Sequence, residues 1–301
     1  MARHEKCSFT QKSSLMSATK YIVLSTTLLL VAYFILSHQS PNYDITLSDI
    51  APDPVNGEYI YTAAGCASCH IKKGSENKFI LAGGQAFVSP FGTFYAPNVS
   101  MSKQHGIGSW TQSQFVTAVR SGLSPKGQHY FPAFPYNAYA KMKDQDAVDL
   151  WSFWQTLPEA ENDSKPHEII WPLSIRRNVG IWKTLFQDQN WVADDGARGT
   201  YLVEALGHCA ECHTPRNRMG ALDTTRWMQG AKNPSGTGRI PAITQEQLKW
   251  SSEDITEYLT SGFTPDFDVA GGHMAAVVEN TSQLSQKDRV LIAQYLINLK
   301  N

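Results

Sequence analysis

Four of the chain's five cysteines fall into two Cys-x-x-Cys pairs, each followed at once by histidine: Cys66-Ala67-Ser68-Cys69-His70 and Cys209-Ala210-Glu211-Cys212-His213. A bare Cys-x-x-Cys serves as a redox disulfide or as half of a zinc site. The adjoining histidine turns the spacing into that of covalent haem attachment. Two thiols two residues apart add to the two vinyl groups on one edge of a porphyrin, and the next imidazole ligates the iron from the proximal side. This assigns Cys66, Cys69, Cys209 and Cys212 to two covalently bound haems c, and His70 and His213 to their irons. Each imidazole is expected to turn Nε2 to the iron and to give its Nδ1–H to a backbone carbonyl. The fifth cysteine, Cys7, is a free thiol in the N-terminal tail.

A haem iron has a second axial position, which electron carriers commonly fill with methionine. In the second half the candidate is Met274, behind a Gly271-Gly272 hinge that lets a loop fold over a ring. The alternative there is His273, with Met274 in the core. The matching loop of the first half, residues 128–136, holds Phe134 and no methionine. Its candidates are His129 in the loop and Met142 at the start of the next helix, with Met101 and His105 weaker; the remaining alternative is an iron with no ligand on that face. His208 adjoins the second motif and is expected at the surface or in a hydrogen bond.

The elements around these motifs occur twice. Gly57-Glu58-Tyr59-Ile60 leads to Gly65-Cys66, and Gly199-Thr200-Tyr201-Leu202 leads to Gly207-His208-Cys209. Twelve residues separate Trp110 from Gly122 and Trp250 from Gly262, with Thr111 and Ser251 as helix N-caps and the two glycines as C-caps. Amphipathic helices are expected from Met142 to about Leu157 and from Leu284 to about Leu299, equal spans in the two halves. A repeated order of helix, motif, loop, helix, ligand loop and final helix indicates duplication. The expected fold is mainly α: two tandem class I-type cytochrome c domains, 50–158 and 195–301, behind an N-terminal transmembrane or signal helix. Residues 159–194 between them are proline-punctuated yet rich in tryptophan, leucine and isoleucine. Such a linker is expected to pack on both domains.

Residues 1–20 carry Arg3, Lys6, Lys12 and Lys20 against one acid, Glu5, and form a cytoplasmic tail; the apolar run Tyr21 to Leu36 opens a segment, 21–40, that is a membrane anchor or a signal. A basic flank before an apolar run keeps the N-terminus inside and exports the remainder of the chain. No small-x-small cleavage pattern comes after it, which favours a retained anchor in the inner membrane with the haem domains in the periplasm. The alternative is a soluble periplasmic protein after cleavage. A net charge of −1 leaves no basic footprint for nucleic acid.

The runs Phe91-Gly92-Thr93-Phe94-Tyr95-Ala96-Pro97-Asn98-Val99, Gly106-Ile107-Gly108-Ser109-Trp110 and Phe131-Pro132-Ala133-Phe134-Pro135-Tyr136 extend the pattern. Together with Gly207-His208-Cys209, His213-Thr214-Pro215-Arg216-Asn217, Gly262-Phe263-Thr264-Pro265 and Met274-Ala275-Ala276-Val277-Val278, they resemble the cytochrome c subunits of membrane-bound alcohol, gluconate and sorbitol dehydrogenases. The resemblance spans residues 50 to 301. It implies a protein that takes electrons from a catalytic dehydrogenase subunit and passes them to ubiquinone or an oxidase chain, with Met274 as a haem ligand. Three departures stand out. Those subunits commonly carry three haems, their Pro-Ala-Met-Pro-Tyr loop has methionine where this chain has Phe134, and here the anchor is N-terminal.

The expectation is a di-haem c-type cytochrome without substrate chemistry, passing electrons in the periplasm from a dehydrogenase donor to a quinone, cytochrome or oxidase acceptor. The runner-up is a haem enzyme of peroxidase or thiosulfate-dehydrogenase type, using a first haem iron that lacks methionine. Lys72, Lys73 and Lys78 flank the first motif as a solvated face or a docking patch for an acidic partner.

Overall fold

The computed structural model describes residues 5–38, 45–72, 74–187, 190–193, 195–234, 236 and 238–299, with side chains from residue 19 onward. Residues 1–4, the Cys7 side chain and Lys73 lie outside the described residues. Helix α1 runs Glu5–Leu36, and its stretch Thr19–Leu36, 18 residues of mean hydropathy 1.8, is apolar and long enough to cross a membrane.

The first half contains α2 (Pro54–Ala63), α3 (Cys66–His70), a hairpin of β1 (Ala86–Ser89) and β2 (Gly92–Tyr95), α4 (Gln112–Ser121), α5 (Tyr136–Tyr139) and α6 (Asp144–Trp154). The next stretch adds β3 (Glu168–Ile169), antiparallel to β2, and α7 (Arg176–Phe186). The second half repeats the helices with α8 (Arg198–Thr200), a π-helical stretch Tyr201–Leu206, α9 (Ala210–His213), α10 (Gln245–Leu248), α11 (Ser252–Ser261), α12 (His273–Thr281) and α13 (Gln286–Asn298). Strands β4 (Ala231–Lys232) and β5 (Arg239–Ile240) pair antiparallel beside it.

Local chemistry sets the boundaries. Thr111 and Ser251 each close a capping box, with Gln114 and Asp254, and Gly122 and Gly262 end α4 and α11 in the left-handed region. The last helix of each half is shorter than its periodicity predicts. Helix α6 starts at Asp144, not Met142, and α13 starts at Gln286, because Ser285 is the residue whose side chain caps it. The opening helix of the second half gives way to π geometry, so its turns widen just before the motif.

Glycine lets the first and last helix of each half touch. A Cβ on Gly57 would lie 2.1 Å from the carbonyl oxygen of Asp149 in α6, and one on Gly199 would lie 2.5 Å from that of Leu291 in α13. Aromatic residues fill the first core, with Phe115 4.9 Å from Trp151 and Tyr61 5.6 Å from Trp154, centroid to centroid. Leu202, Ile255, Ile292 and Leu296 are buried at the corresponding places in the second half.

The halves meet through an exchanged pair of bonds. Tyr59 in α2 donates to Asp288 in α13 at 2.5 Å, and Tyr201, at the matching place, donates to Asp146 in α6 at 2.5 Å. Each tyrosine oxygen also accepts a backbone N–H from the opposite half, Ser285 to Tyr59 and Lys143 to Tyr201, both at 3.2 Å. This reciprocity is what a local two-fold axis produces. Lys78 forms an ion pair with Glu279 of the second half at 2.7 Å, so it belongs to this seam and is no free docking charge.

The stretch between the halves packs on both. Lys183 of α7 donates to the carbonyls of Ser121 and Gly122 at the C-terminus of α4, at 2.5 and 3.0 Å, while Trp182 donates to Met219 O at 2.8 Å. Asn98 holds the carbonyls of Ala160 and Asn162 at 2.8 and 2.7 Å.

Burial alone would raise Asp288, but bonds from Arg198 and Tyr59 hold its carboxyl below the usual aspartate range. A lowered carboxyl stabilises the fold above the unfolded-state pKa, near 3.9, and that stabilisation is lost as pH falls through the folded value. Tyr59→Phe and Tyr201→Phe are each expected to cost about 1–2 kcal/mol in urea unfolding. Tyr59→Phe, which leaves Asp288 less depressed, should also move the acid unfolding midpoint to higher pH.

Candidate haem sites

Both Cys-x-x-Cys-His segments are single helical turns delivered by the end of the preceding helix. Gly65 (φ 63) turns the chain from α2 into α3 in a left-handed conformation. In the second half His208 (φ 38) occupies that region without being glycine, a local strain held immediately before Cys209.

The histidines are held alike. Nδ1 of His70 lies 3.0 Å from Pro97 O, and Nδ1 of His213 lies 2.8 Å from Pro241 O. A carbonyl only accepts, so Nδ1 carries the proton in each ring and Nε2 keeps its lone pair. Burial pulls both imidazoles below their ordinary pKa, which keeps them neutral at pH 7. A neutral imidazole with a fixed tautomer is the form that ligates iron.

Burial pushes Cys66 up to about 12, Cys69 up to about 11 and Cys209 up to about 12, so these thiols are neutral at pH 7. Neither pair is joined as a disulfide, and among the described residues no cluster of three or more His, Cys, Asp or Glu could hold a metal ion. The residues therefore fit a porphyrin bonded through neutral sulfurs and held by one imidazole.

The two turns lie against each other. Asn280 of α12 donates to Ser68 Oγ inside the first motif at 2.7 Å. Tyr139 of α5 donates to Ala64 O at 2.8 Å, and its ring meets that of His208 edge-on at 5.5 Å. Cys212 lies near enough to Cys69 to push that thiol further up. His208, expected at a surface or in a hydrogen bond, is half-buried at this junction.

The distal candidates scatter. Met274 sits half-buried in the first turn of α12 against the core, while exposed His273 stacks on Phe87 of the first half at 6.1 Å. Met142 is 1 % exposed and packs in the core, as Leu284 does at the corresponding place. His129 turns toward α1, with Nε2 3.1 Å from Ser37 O. Its ring thus lies beside α1 and α7, where a Cβ on Gly180 would approach Nε2 to 2.7 Å. His105 pairs with Asp163 at 2.8 Å, and Met101 is half-buried against the core. Phe134 faces Tyr139 at 5.9 Å, so an aromatic ring lies where the first half lacks methionine.

One group escaped the motif reading. Glu204, in the π-helical stretch, has a fully buried side chain that accepts from Val192 N at 2.8 Å, Ala193 N at 2.9 Å and Tyr295 OH at 2.8 Å. Lys141, itself 7 % exposed, reaches it from the first half at 3.3 Å. A lone acid inside the apolar run Tyr201–Leu206 was the available signal, because an unpaired buried carboxylate is too costly to keep.

Small helical units, each presenting a thiol pair and a fixed imidazole, define a protein of the covalent-haem class. The cytochrome c family model matches residues 54–158. A diheme cytochrome c-type protein of Cereibacter sphaeroides is 49 % identical over 247 residues, covering 80 % of this chain and 83 % of that protein. The fructose dehydrogenase cytochrome subunit of Gluconobacter japonicus is 37 % identical over 257 residues, 81 % of this chain. The gluconate 2-dehydrogenase cytochrome c subunit of Pantoea cypripedii is 34 % identical over 284 residues, 85 % of this chain. The chain spans 52 % and 63 % of the length of these two subunits. The chain belongs to the cytochrome c family, with covalently bound haem c and a role in electron transfer.

Replacing Glu204 with Gln would leave the Lys141 ammonium buried without its counter-charge and turn an amide N–H toward one of the two backbone donors, Val192 N or Ala193 N. The expected cost is about 2–3 kcal/mol, read by urea unfolding. Limited proteolysis between residues 187 and 195 should accelerate, because one of the two bonds holding Val192 and Ala193 is lost.

Proposed function

We propose that the chain is a di-haem cytochrome, anchored in the inner membrane by α1, that relays electrons in the periplasm from a dehydrogenase to a respiratory acceptor. Two domains, 50–158 and 195–301, each carry one haem c. Cys66 and Cys69 bond the first and Cys209 and Cys212 the second, with His70 and His213 as proximal ligands. The observation that carries this reading is the matched setting of those histidines, each with Nδ1 fixed by a proline carbonyl on the loop after its motif. The haem supplies a one-electron Fe(III)/Fe(II) couple when bound. The chain's own residues orient the imidazoles, keep them neutral and hold the two motifs edge to edge through Asn280, Ser68, Tyr139 and His208.

Met274 is the distal ligand of the second haem. On the first haem the candidates are Met142, His129, whose Nε2 lies 3.1 Å from Ser37 O, and an iron without a protein ligand on that face. Unlike axial sets give unlike potentials, and so a direction to electron flow. A dehydrogenase donor is supported by relatives that are cytochrome subunits of fructose and gluconate dehydrogenases. The basic residues before the apolar run support an exported, anchored orientation.

Cys66→Ala and Cys209→Ala should each lower haem content from two per chain to one, measured as pyridine haemochrome against protein. No change in either variant would overturn the attachment sites. Met274→Ala should abolish the near-infrared sulfur–iron band of the oxidised protein. Loss of half the band would assign Met142 to the first haem, and an unchanged band would move the second ligand to His273.

A further inference from the structure

The stretch between the halves has an unpartnered apolar side. Residues 170–175 read Ile-Trp-Pro-Leu-Ser-Ile and contain no charge. Trp171 is 80 % exposed, Ile170 55 % and Ile175 41 %, and Leu185, further along α7, is 66 % exposed. Water-facing tryptophan beside three aliphatic side chains is an apolar patch that needs a partner.

Its place relative to α1 identifies that partner. Helix α7 is bound to the last turn of α1. Tyr33 donates to Asn178 Oδ1 at 2.9 Å, and Arg177 donates to Ser37 Oγ at 3.1 Å with its guanidinium 5.0 Å from the Phe34 ring. A Cβ on Gly180 would lie 2.4 Å from Ser37 O, so the two backbones are in contact. The apolar stretch Thr19–Leu36 is 18 residues, about 27 Å at 1.5 Å per residue, about 3 Å less than a hydrocarbon core of about 30 Å and within the range of about 17–25 residues for spanning helices. Its last turn therefore reaches the hydrocarbon edge, and α7 lies at that depth. Segment 170–175 leads directly into α7. Tryptophan, short aliphatic residues and arginines with apolar stems are the composition of the headgroup layer.

We propose that residues 170–175 and Leu185 form a second membrane contact, seated in the interfacial layer of the same leaflet from which α1 emerges. The proposal rests on the reading that α1 crosses the membrane. Lipid is favoured over a protein partner because the patch continues the exposed surface of α1 at the depth where bilayer is already present. Lys183 and Arg176 transmit this seat to the first half, by bonds to Ser121 O at 2.5 Å and His129 O at 2.9 Å. The haem-bearing units are then held on the surface and do not swing on a tether.

The test uses the full chain reconstituted in phosphatidylethanolamine/phosphatidylglycerol vesicles, a lipid-soluble aryl diazirine, and mass spectrometry of the photolysed digest. Label is expected on α1 and on residues 170–175, and not on the turn 263–269, whose Phe267 is 92 % exposed to water. The double variant Trp171→Glu, Leu173→Glu should lose the label on 170–175 and keep it on α1. A labelled α1 beside an unlabelled 170–175 overturns the inference and assigns the patch to a protein partner. An unlabelled α1 overturns the anchor reading itself.

Discussion

A side chain is missing at Gly57 and at Gly199, and the geometry of each half depends on that gap. The close approach it allows brings α2 onto α6, and α8 onto α13, with no room for a Cβ. Each opening helix is thereby fixed in height and rotation, and the motif turn after it inherits both. The imidazole lands beneath a proline carbonyl, Pro97 or Pro241, that fixes its tautomer. A close-packed interior transmits such a constraint over several residues because its elements do not deform continuously.

Electrostatics supplies a second layer. Among the buried ionisable groups outside the motifs, Glu204 and Lys183 act as struts. Glu204 gathers Lys141, Tyr295 and the backbone of Val192 and Ala193, so one carboxylate ties the first half, the second half and the connecting stretch together. Lys183 sits over the Tyr136 ring at 4.4 Å and bonds the carbonyls that end α4, where the helix dipole is negative. Burial lowers this lysine to about 7. The connecting stretch is therefore a structural member of the molecule, which its tryptophans and leucines indicated.

Features set by neighbouring residues were legible in the sequence. The capping boxes at Thr111 and Ser251, the C-cap glycines and the motif turns depend on contacts within about four residues, and the pattern displays them. The partner of a long-range contact was not legible. His129 and Met142 read as equal candidates for one iron, and nothing in the sequence shows that the first lies beside α1 and the second within the core. Lys78 read as a surface charge, and its partner Glu279 is distant in the chain. Helix propensity does not encode the π geometry before the second motif. Trp171 and Trp182 are both tryptophans in one apolar stretch, but only tertiary structure separates the exposed one from the one bonded to Met219 O.

The exchanged tyrosine–aspartate bonds bear on how such a chain can evolve. After a duplication, two copies ordinarily drift apart, and one can be discarded. Here the tyrosine O–H of either half donates to an aspartate of the other, across 229 positions in one case and 55 in the other. A change at one end is felt as an orphaned polar group in the sister copy, so the two must mutate in concert. Neither half can lose its member of such a pair without exposing half of a handshake.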